Sequence, residues 1–281
     1  MPSTKEIKRR IKSVTSTKQI VSAMELVSVV KMQKAVGKNL ASREFTNLGN
    51  DLLHNVCDEI VLTTHPLFKN RTMEKQLVIV ITSDRGLCGS LNSHILKLAL
   101  SEAENNETDF IAIGRKSRDL LLFRKYSIVS SYESFSDDLE YKNIIPIMHQ
   151  ITDDFLADKY GKIKVIYTHF ESSLSQVAHT VQLLPFELEL DPEDNQNIIF
   201  DPNRQDIVTT MVPRMLETRM WQYILESAAS EHSARMVAMK NANDNAEDLI
   251  FDLTLSFNQT RQAGITREIA EISAGKMTLE E

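Results

Sequence analysis

From Arg214 to Ala263 the chain contains neither glycine nor proline, a run of about 50 residues. Wound as one α-helix, it would be roughly 75 Å long at 1.5 Å per residue. A compact domain of this size has no use for so long a helix. One stripe along it reads Leu216, Met220, Ile224, Ala228, then Ala238, Ala242, Ala246, Leu249, Leu253 and Phe257. The alanines are too small to fill a core, so a second helix has to approach closely there. Pro213, at the head of the run, marks either the helix N-terminus or a kink.

The start of the chain supplies the second helix. Ser3 or Thr4 is placed to cap it, and Ile7, Ile11, Val14, Val21, Met24 and Val27 recur at three- and four-residue steps. The pattern continues past Gly37 and Gly49 through Phe45, Leu48, Leu52, Leu53 and Val56, and His65-Pro66 ends it, because proline disfavours helix in the residue before it. Neither long helix buries its stripe alone. Pairing them antiparallel solves both problems.

From Gln76 the grammar changes. Apolar runs ("QLVIVIT", "FIAIG", "SIVSSY", "KIKVIYTHF") alternate with amphipathic ones ("SHILKLALSEAE", "KSRDLLLFRK", "IIPIMHQITDDFLADKY"), and "VAHTVQLLPFELEL" closes the series. That is the pattern of a mostly parallel sheet covered by helices, with the last two strands added as a hairpin. The expected fold class is therefore α/β: a Rossmann-like, mostly parallel sheet domain plus a long antiparallel two-helix coiled coil formed by the N- and C-terminal helices. The expected divisions are an N-terminal helix at 1–64, a globular domain at 76–190 left through the acidic "LDPEDNQN", and a C-terminal helix at 205–281.

Bulk properties narrow the function classes. The net charge of -7 hides a basic start in which Lys5, Lys8, Arg9, Arg10, Lys12 and Lys18 crowd together. Cys57 and Cys88 are the only cysteines and lack CxxC spacing, which points to free thiols in a reducing compartment. No apolar run approaches the ~20 residues of a spanning helix, and the first residues lack the apolar core of a secretory signal. A cytoplasmic protein is expected.

The stretch Ser83–Asn92, "SDRGLCGSLN", lies between a strand and a helix and has the look of a reactive loop. It lacks the GK[ST] of a phosphate loop, the G-x-G-x-x-G of a dinucleotide turn and the glycine spacing of a nucleophile elbow. A nucleophilic Cys88 would further need a base or a helix N-terminus to lower its pKa. The alternative is a tight strand-to-helix turn. The seven histidines form no HExxH and no pair at metal-ligand spacing. Asp137 with Asp138, and Asp153 with Asp154, read as solvated faces rather than acid/base pairs. The basic first helix suits a nucleic acid, a membrane surface or an acidic protein, but it has no aromatic residue before Phe45 on which bases would stack.

Three segments taken in order resemble one family, the gamma subunit of F-type ATP synthases, in its bacterial form. "IKRRIKSVTSTKQIVSAMELVSVVKMQKA" is similar to its N-terminal shaft helix, "SDRGLCGSLN" to its S-D-R-G-L-C-G turn, and "SEHSARMVAMKNANDNAEDLIFDLTLSFNQTRQAGITREIAEI" to its C-terminal shaft. The resemblance implies a rotor shaft standing within a hexamer of alpha and beta subunits, with the globular domain beside an epsilon subunit on a ring of c subunits. Proton or sodium flow would turn ring and shaft together and drive the beta sites through their states in sequence. It also implies no bond chemistry, metal or cofactor in this chain, no nucleic-acid partner, and a peripheral place on the cytoplasmic face of the bacterial inner membrane, reached through the c-ring. By the same resemblance Arg261, Gln262, Thr266 and Glu268, with Met24 on the N-terminal helix, meet the beta subunits. Phe200 and Asp201 match the foot near the c-ring. On composition alone, Arg261 and Glu268 are an ordinary helix-surface charge pair.

Overall fold

The computed structural model describes residues 3–57, 59–135, 139–188 and 204–277. The chain divides into two compact units, one of Met1–Val27 with Met236–Glu281 and one of Ser28–Arg235. Two long helices contribute to both: α1 (Thr4–Val56) and α6 (Arg204–Met277, 74 residues).

Helix α1 opens with a capping box. The Ser3 backbone N–H donates to Glu6 Oε2 at 2.9 Å, and the Glu6 N–H donates to Ser3 Oγ at 3.3 Å. Its covered side then follows a strict alternation of four- and three-residue steps. In the first unit these positions are Ile7, Ile11, Val14, Lys18, Val21 and Glu25; in the second they are Ser28, Met32, Ala35, Asn39, Ser42, Thr46, Gly49, Leu53 and Val56. A seven-residue repeat is the signature of a left-handed two-helix seam.

The partner of α1 is α6, running antiparallel. In the first unit Lys18 pairs with Glu247 at 3.1 Å. In the second, Arg43 faces Glu226 at 3.9 Å, and Arg219 Nη2 donates to Asn50 Oδ1 at 3.0 Å. Within the second unit, partners descend along α6 as they ascend along α1. Ala238, Ala242 and Ala246 are half-buried, on the side of α6 that also buries Met239.

Two sequence expectations are corrected here, and the open choice at Pro213 is decided. The apolar pattern through Val27, Phe45, Leu48 and Leu52 is not the seam: these side chains are 55%, 63%, 65% and 54% exposed. The seam instead uses Asn39, Ser42, Thr46 and Gly49, whose small volumes let the backbones approach; a Cβ on Gly49 would strike Met215. The first helix stops at Val56, and a separate helix α2 (Glu59–Thr64) follows. The break lets Val56, Cys57 and Val61, then Leu67 and Phe68, all enter one core. Pro213 lies inside α6, nine residues beyond Arg204, so it does not mark the N-terminus.

The sheet has the order β3-β2-β1-β4-β5. Its strands are β1 (Gln76–Ile81), β2 (Thr108–Ile113), β3 (Ile128–Tyr132), β4 (Lys162–Phe170) and β5 (Gln176–Leu184). β1 pairs parallel with both β2 and β4, β2 pairs parallel with β3, and β5 returns antiparallel along β4 as the expected hairpin. Buried on both faces, the central strand reads as an unbroken apolar run. Its residues feed two cores alternately. Leu77, Ile79 and Ile81 face α5 (Ile145–Leu156) and α6, while Val78 and Val80 face α3 (Leu91–Asn105) and α4 (Arg115–Phe123). Each such buried Leu, Ile or Val is worth about 1.5–3 kcal/mol.

Candidate functional site

Strand order reverses beside β1, since its crossover leads to β2 on one side while β4 lies on the other. In open α/β sheets, ligands bind at the carboxyl ends of the strands at such a switch point. Here that place is closed by the chain itself.

The Ser83–Asn92 loop builds one wall. Asn92, in the first turn of α3, accepts the Ser83 N–H at 3.1 Å and donates through Nδ2 to Ser83 Oγ at 2.7 Å and to Cys88 Sγ at 3.2 Å. Leu87 and Gly89 adopt left-handed φ values of 65° and 60°, which turn the chain sharply enough to bury Cys88. The Asp84 carboxylate accepts the backbone N–H groups of Arg115 and Ser134 at 3.0 and 2.9 Å, tying β1 to the start of α4 and the segment after β3. Gly114 follows β2 at φ 97°, and a Cβ there would overlap the Thr82 carbonyl. The Ser83, Cys88 and Asn92 side chains are bonded to one another. Cys88 contacts the Ser83 hydroxyl and the Asn92 amide, neither of which is a base.

Helix α6 fills the crevice that remains. Ser227, Ala228 and Glu231 line it together with Thr82, Ser83 and Thr168. The Thr168 N–H donates to Ser227 Oγ at 3.3 Å, Ser230 Oγ donates to the Thr168 carbonyl at 3.3 Å, and Ser233 Oγ donates to the Ser173 carbonyl at 2.8 Å. His169 Nδ1 lies 2.6 Å from Glu226 Oε2. One turn on, Arg235 donates to the carbonyls of Arg85 and Gly86 at 3.3 Å and pairs with Glu231 at 2.7 Å. Small side chains at 227–230 let the helix lie against the strand ends, and the buried Glu231–Arg235 pair fixes position more than it adds stability. Of this joint the sequence stripe contains only Ala228; its fuller signal is the mid-helix run Ser227-Ala228-Ala229-Ser230 ahead of a Glu-His-Ser-Ala-Arg cluster.

In the first unit the far end of α6 outruns its partner, and every residue from Arg261 to Ser273 is exposed. Arg261, Gln262, Thr266 and Glu268 occupy successive turns there, interleaved with Ile265, Ile269 and Ile272 at 49%, 59% and 73% exposure. Met24 is half-buried on α1. Because Lys18 already lies opposite Glu247, the antiparallel run carries Met24 away from Arg261, so these candidates are not brought together. Lys5, Lys8, Arg9 and Lys12 form a basic surface at the start of α1 with Ser3 and Glu6. Phe200 and Asp201 lie outside the described residues. Among the described residues, no group of three or more His, Cys, Asp or Glu could hold a metal, and no helix is long and apolar enough to cross a membrane.

Comparison with known proteins places the chain in a family. Residues 3–279 match the model of the family described as ATP synthase. The chain is 39% identical to the ATP synthase gamma chain of Pelotomaculum thermopropionicum, with 100% of both chains covered. It is also 39% identical to that of Flavobacterium psychrophilum, with 99% of each covered. The chain belongs to the ATP synthase gamma chain family. It shares its fold with a chain of the central stalk and c-ring of the Tetrahymena thermophila mitochondrial ATP synthase (TM-score 0.62, 24% identity, 79% of this chain and 99% of that one). A chain of the Euglena gracilis mitochondrial ATP synthase also matches (TM-score 0.69, 19% identity, 98% and 93% covered). Family membership gives the chain its place as a subunit of an ATP synthase.

Proposed function

We propose that the chain is the central rotor shaft of the ATP synthase, coupling ion-driven turning of a c-ring to sequential change at the beta-subunit catalytic sites, and that it carries out no bond chemistry itself. The observation that carries this reading is the bare end of α6. An exposed helical end bearing three isoleucines and four polar anchors has its counter-surface on another chain. In the proposed assembly, Arg261, Gln262, Thr266 and Glu268 meet the beta subunits within the hexamer, and Met24 faces the moving beta loops from α1. The sheet domain takes the epsilon subunit, and Phe200 and Asp201 take the c-ring, which gives the chain a peripheral place on the cytoplasmic face of the membrane.

Two features support torque transmission. The stretch of α6 from Arg214 to Ala263 has no glycine or proline at which twist would be absorbed as bending. The Ser227–Arg235 joint ties α6 to the ends of β1 and β4, so the sheet cannot swivel about the helix without breaking several buried hydrogen bonds. The test is co-expression with the cognate alpha and beta subunits. A complex holding one copy of this chain is expected; a monodisperse free chain that fails to associate would overturn the reading.

A further inference from the structure

Between the sheet and α6, at the ends of β1 and β4, the closed crevice leaves a cavity with about 20 Å³ of room for the centre of a water molecule. Thr168 lines it at 2% exposure, and its Oγ1 is buried with no hydrogen-bond partner in the protein. The backbone of the same residue is fully engaged, its N–H by Ser227 and its carbonyl by Ser230. The hydroxyl is therefore the one polar group of Thr168 left without a bond, and a buried hydroxyl in that state is destabilising.

A water needs roughly 10–15 Å³ of such space and two to four polar neighbours. The cavity meets the first condition for one molecule and for nothing larger. Its lining can meet the second, since Thr168, Ser227 and Glu231 are among the residues around it, with Ile81, Ile224 and Ala228 as apolar neighbours. Glu231 is itself 5% exposed, with Oε1 bonded to Arg235 Nη2 at 2.7 Å.

We propose that this cavity is a binding site for one ordered water, held between Thr168 Oγ1 and the Glu231 carboxylate. The water completes a hydrogen-bonded line that begins at β4, passes through Glu231 and Arg235 of α6, and ends on the Gly86 carbonyl. The switch point of this sheet thus keeps the polar character of a ligand site while admitting only solvent.

The test is a structure of the full chain, free or assembled, at about 1.8 Å or better, for the natural sequence and for Thr168→Ser and Thr168→Val. The expected result is a water peak at hydrogen-bond distance, roughly 2.6–3.2 Å, from the hydroxyl in the first two and no peak in the third. Thermal unfolding gives an independent sign. With the water present, Thr168→Val removes one of its hydrogen-bond partners, and Tm falls by about 2–4 °C. With the cavity empty, the isosteric change removes an unsatisfied hydroxyl and Tm stays level or rises. An empty cavity in the natural protein, or a Tm that does not fall, overturns the proposal. If Thr168→Val does not fold, the natural and Thr168→Ser structures decide it alone.

Discussion

Asn92 Nδ2 donates to Cys88 Sγ across 3.2 Å, and Cys88 is 2% exposed. A thiol so placed packs and accepts, which makes a structural role the expected one. Neither cysteine is in a disulfide and both are buried, so a thiol reagent should titrate neither in the folded chain and both in urea. Cys88→Ala should cost about 1–2 kcal/mol of stability and leave ATP hydrolysis and ion pumping by the assembled complex unchanged within assay error. Rapid native labelling of Cys88, or loss of turnover in a complex that still assembles, would count against the structural role.

Gly114 and Gly37 separate two uses of glycine. Gly114 holds φ 97° with the Thr82 carbonyl where a Cβ would be, whereas nothing approaches the Cβ position of Gly37 inside α1. Gly114→Ala should destabilise by about 3 kcal/mol or more through strain and overlap. Gly37→Ala should stabilise by about 0.5–1 kcal/mol through helix propensity. Urea unfolding measures both, and equal effects would mean that the turn after β2 is not built as described.

Asp109 supplies a pH dependence. Burial pushes its carboxyl up, but hydrogen bonds from Lys75, Ser127 and Tyr160, with the Lys75 charge, outweigh burial and hold it below the ordinary value of 3.8. Lys75 Nζ lies 2.9 Å from Asp109 Oδ2, and the Tyr160 hydroxyl donates to the same oxygen at 2.9 Å. A carboxylate with a depressed folded pKa stabilises the fold above its unfolded pKa, and that stability is lost as pH falls through the folded pKa. Stability measured from pH 6 down to pH 2 should therefore decline below about pH 4, and Asp109→Asn should flatten part of the decline. An identical acid profile in the variant would remove Asp109 from the account.

The bare end of α6 makes a different demand. Arg261, Gln262 and Thr266 are exposed, so alanine at each should change the stability of the isolated chain by less than about 0.5 kcal/mol. If they anchor partner subunits, the same changes should weaken association by about 1–2 kcal/mol, roughly 5- to 30-fold. Titration calorimetry or pull-down against alpha and beta subunits reads this, and unaltered affinity in all three variants would remove them as contacts.

Much of the fold is legible in the residues because it rests on local rules. The Val/Ile runs give the strands, the crossover spacing makes the sheet parallel, and the glycine-free, proline-free run gives α6. The failures all arise where tertiary packing overrides local pattern. Phe45, Leu48 and Leu52 have helical spacing and look like core, yet the seven-residue seam passes beside them and takes Asn39, Thr46 and Gly49. Nothing punctuates the chain at Cys57, where the break serves the shared core around Val61 and Leu67. The joint at Ser227–Arg235 was hidden for a related reason: serines and alanines inside a helix carry no periodic signal, and their meaning appears only when Thr168 and the Gly86 carbonyl are placed against them. The motif Ser83–Asn92 marked the right place in the sheet, and the structure supplies its reason, a self-bonded turn that α6 grips.

The central claim is that this chain turns as one shaft within its complex. The direct measurement fixes the assembled alpha and beta subunits to a surface, attaches a visible probe to the sheet domain at the exposed Phe123 position replaced by cysteine, and follows the probe on addition of ATP. The account expects rotation in one direction whose rate follows hydrolysis. A probe that stays still, or merely jitters, while the same complex hydrolyses ATP at its normal rate would contradict it.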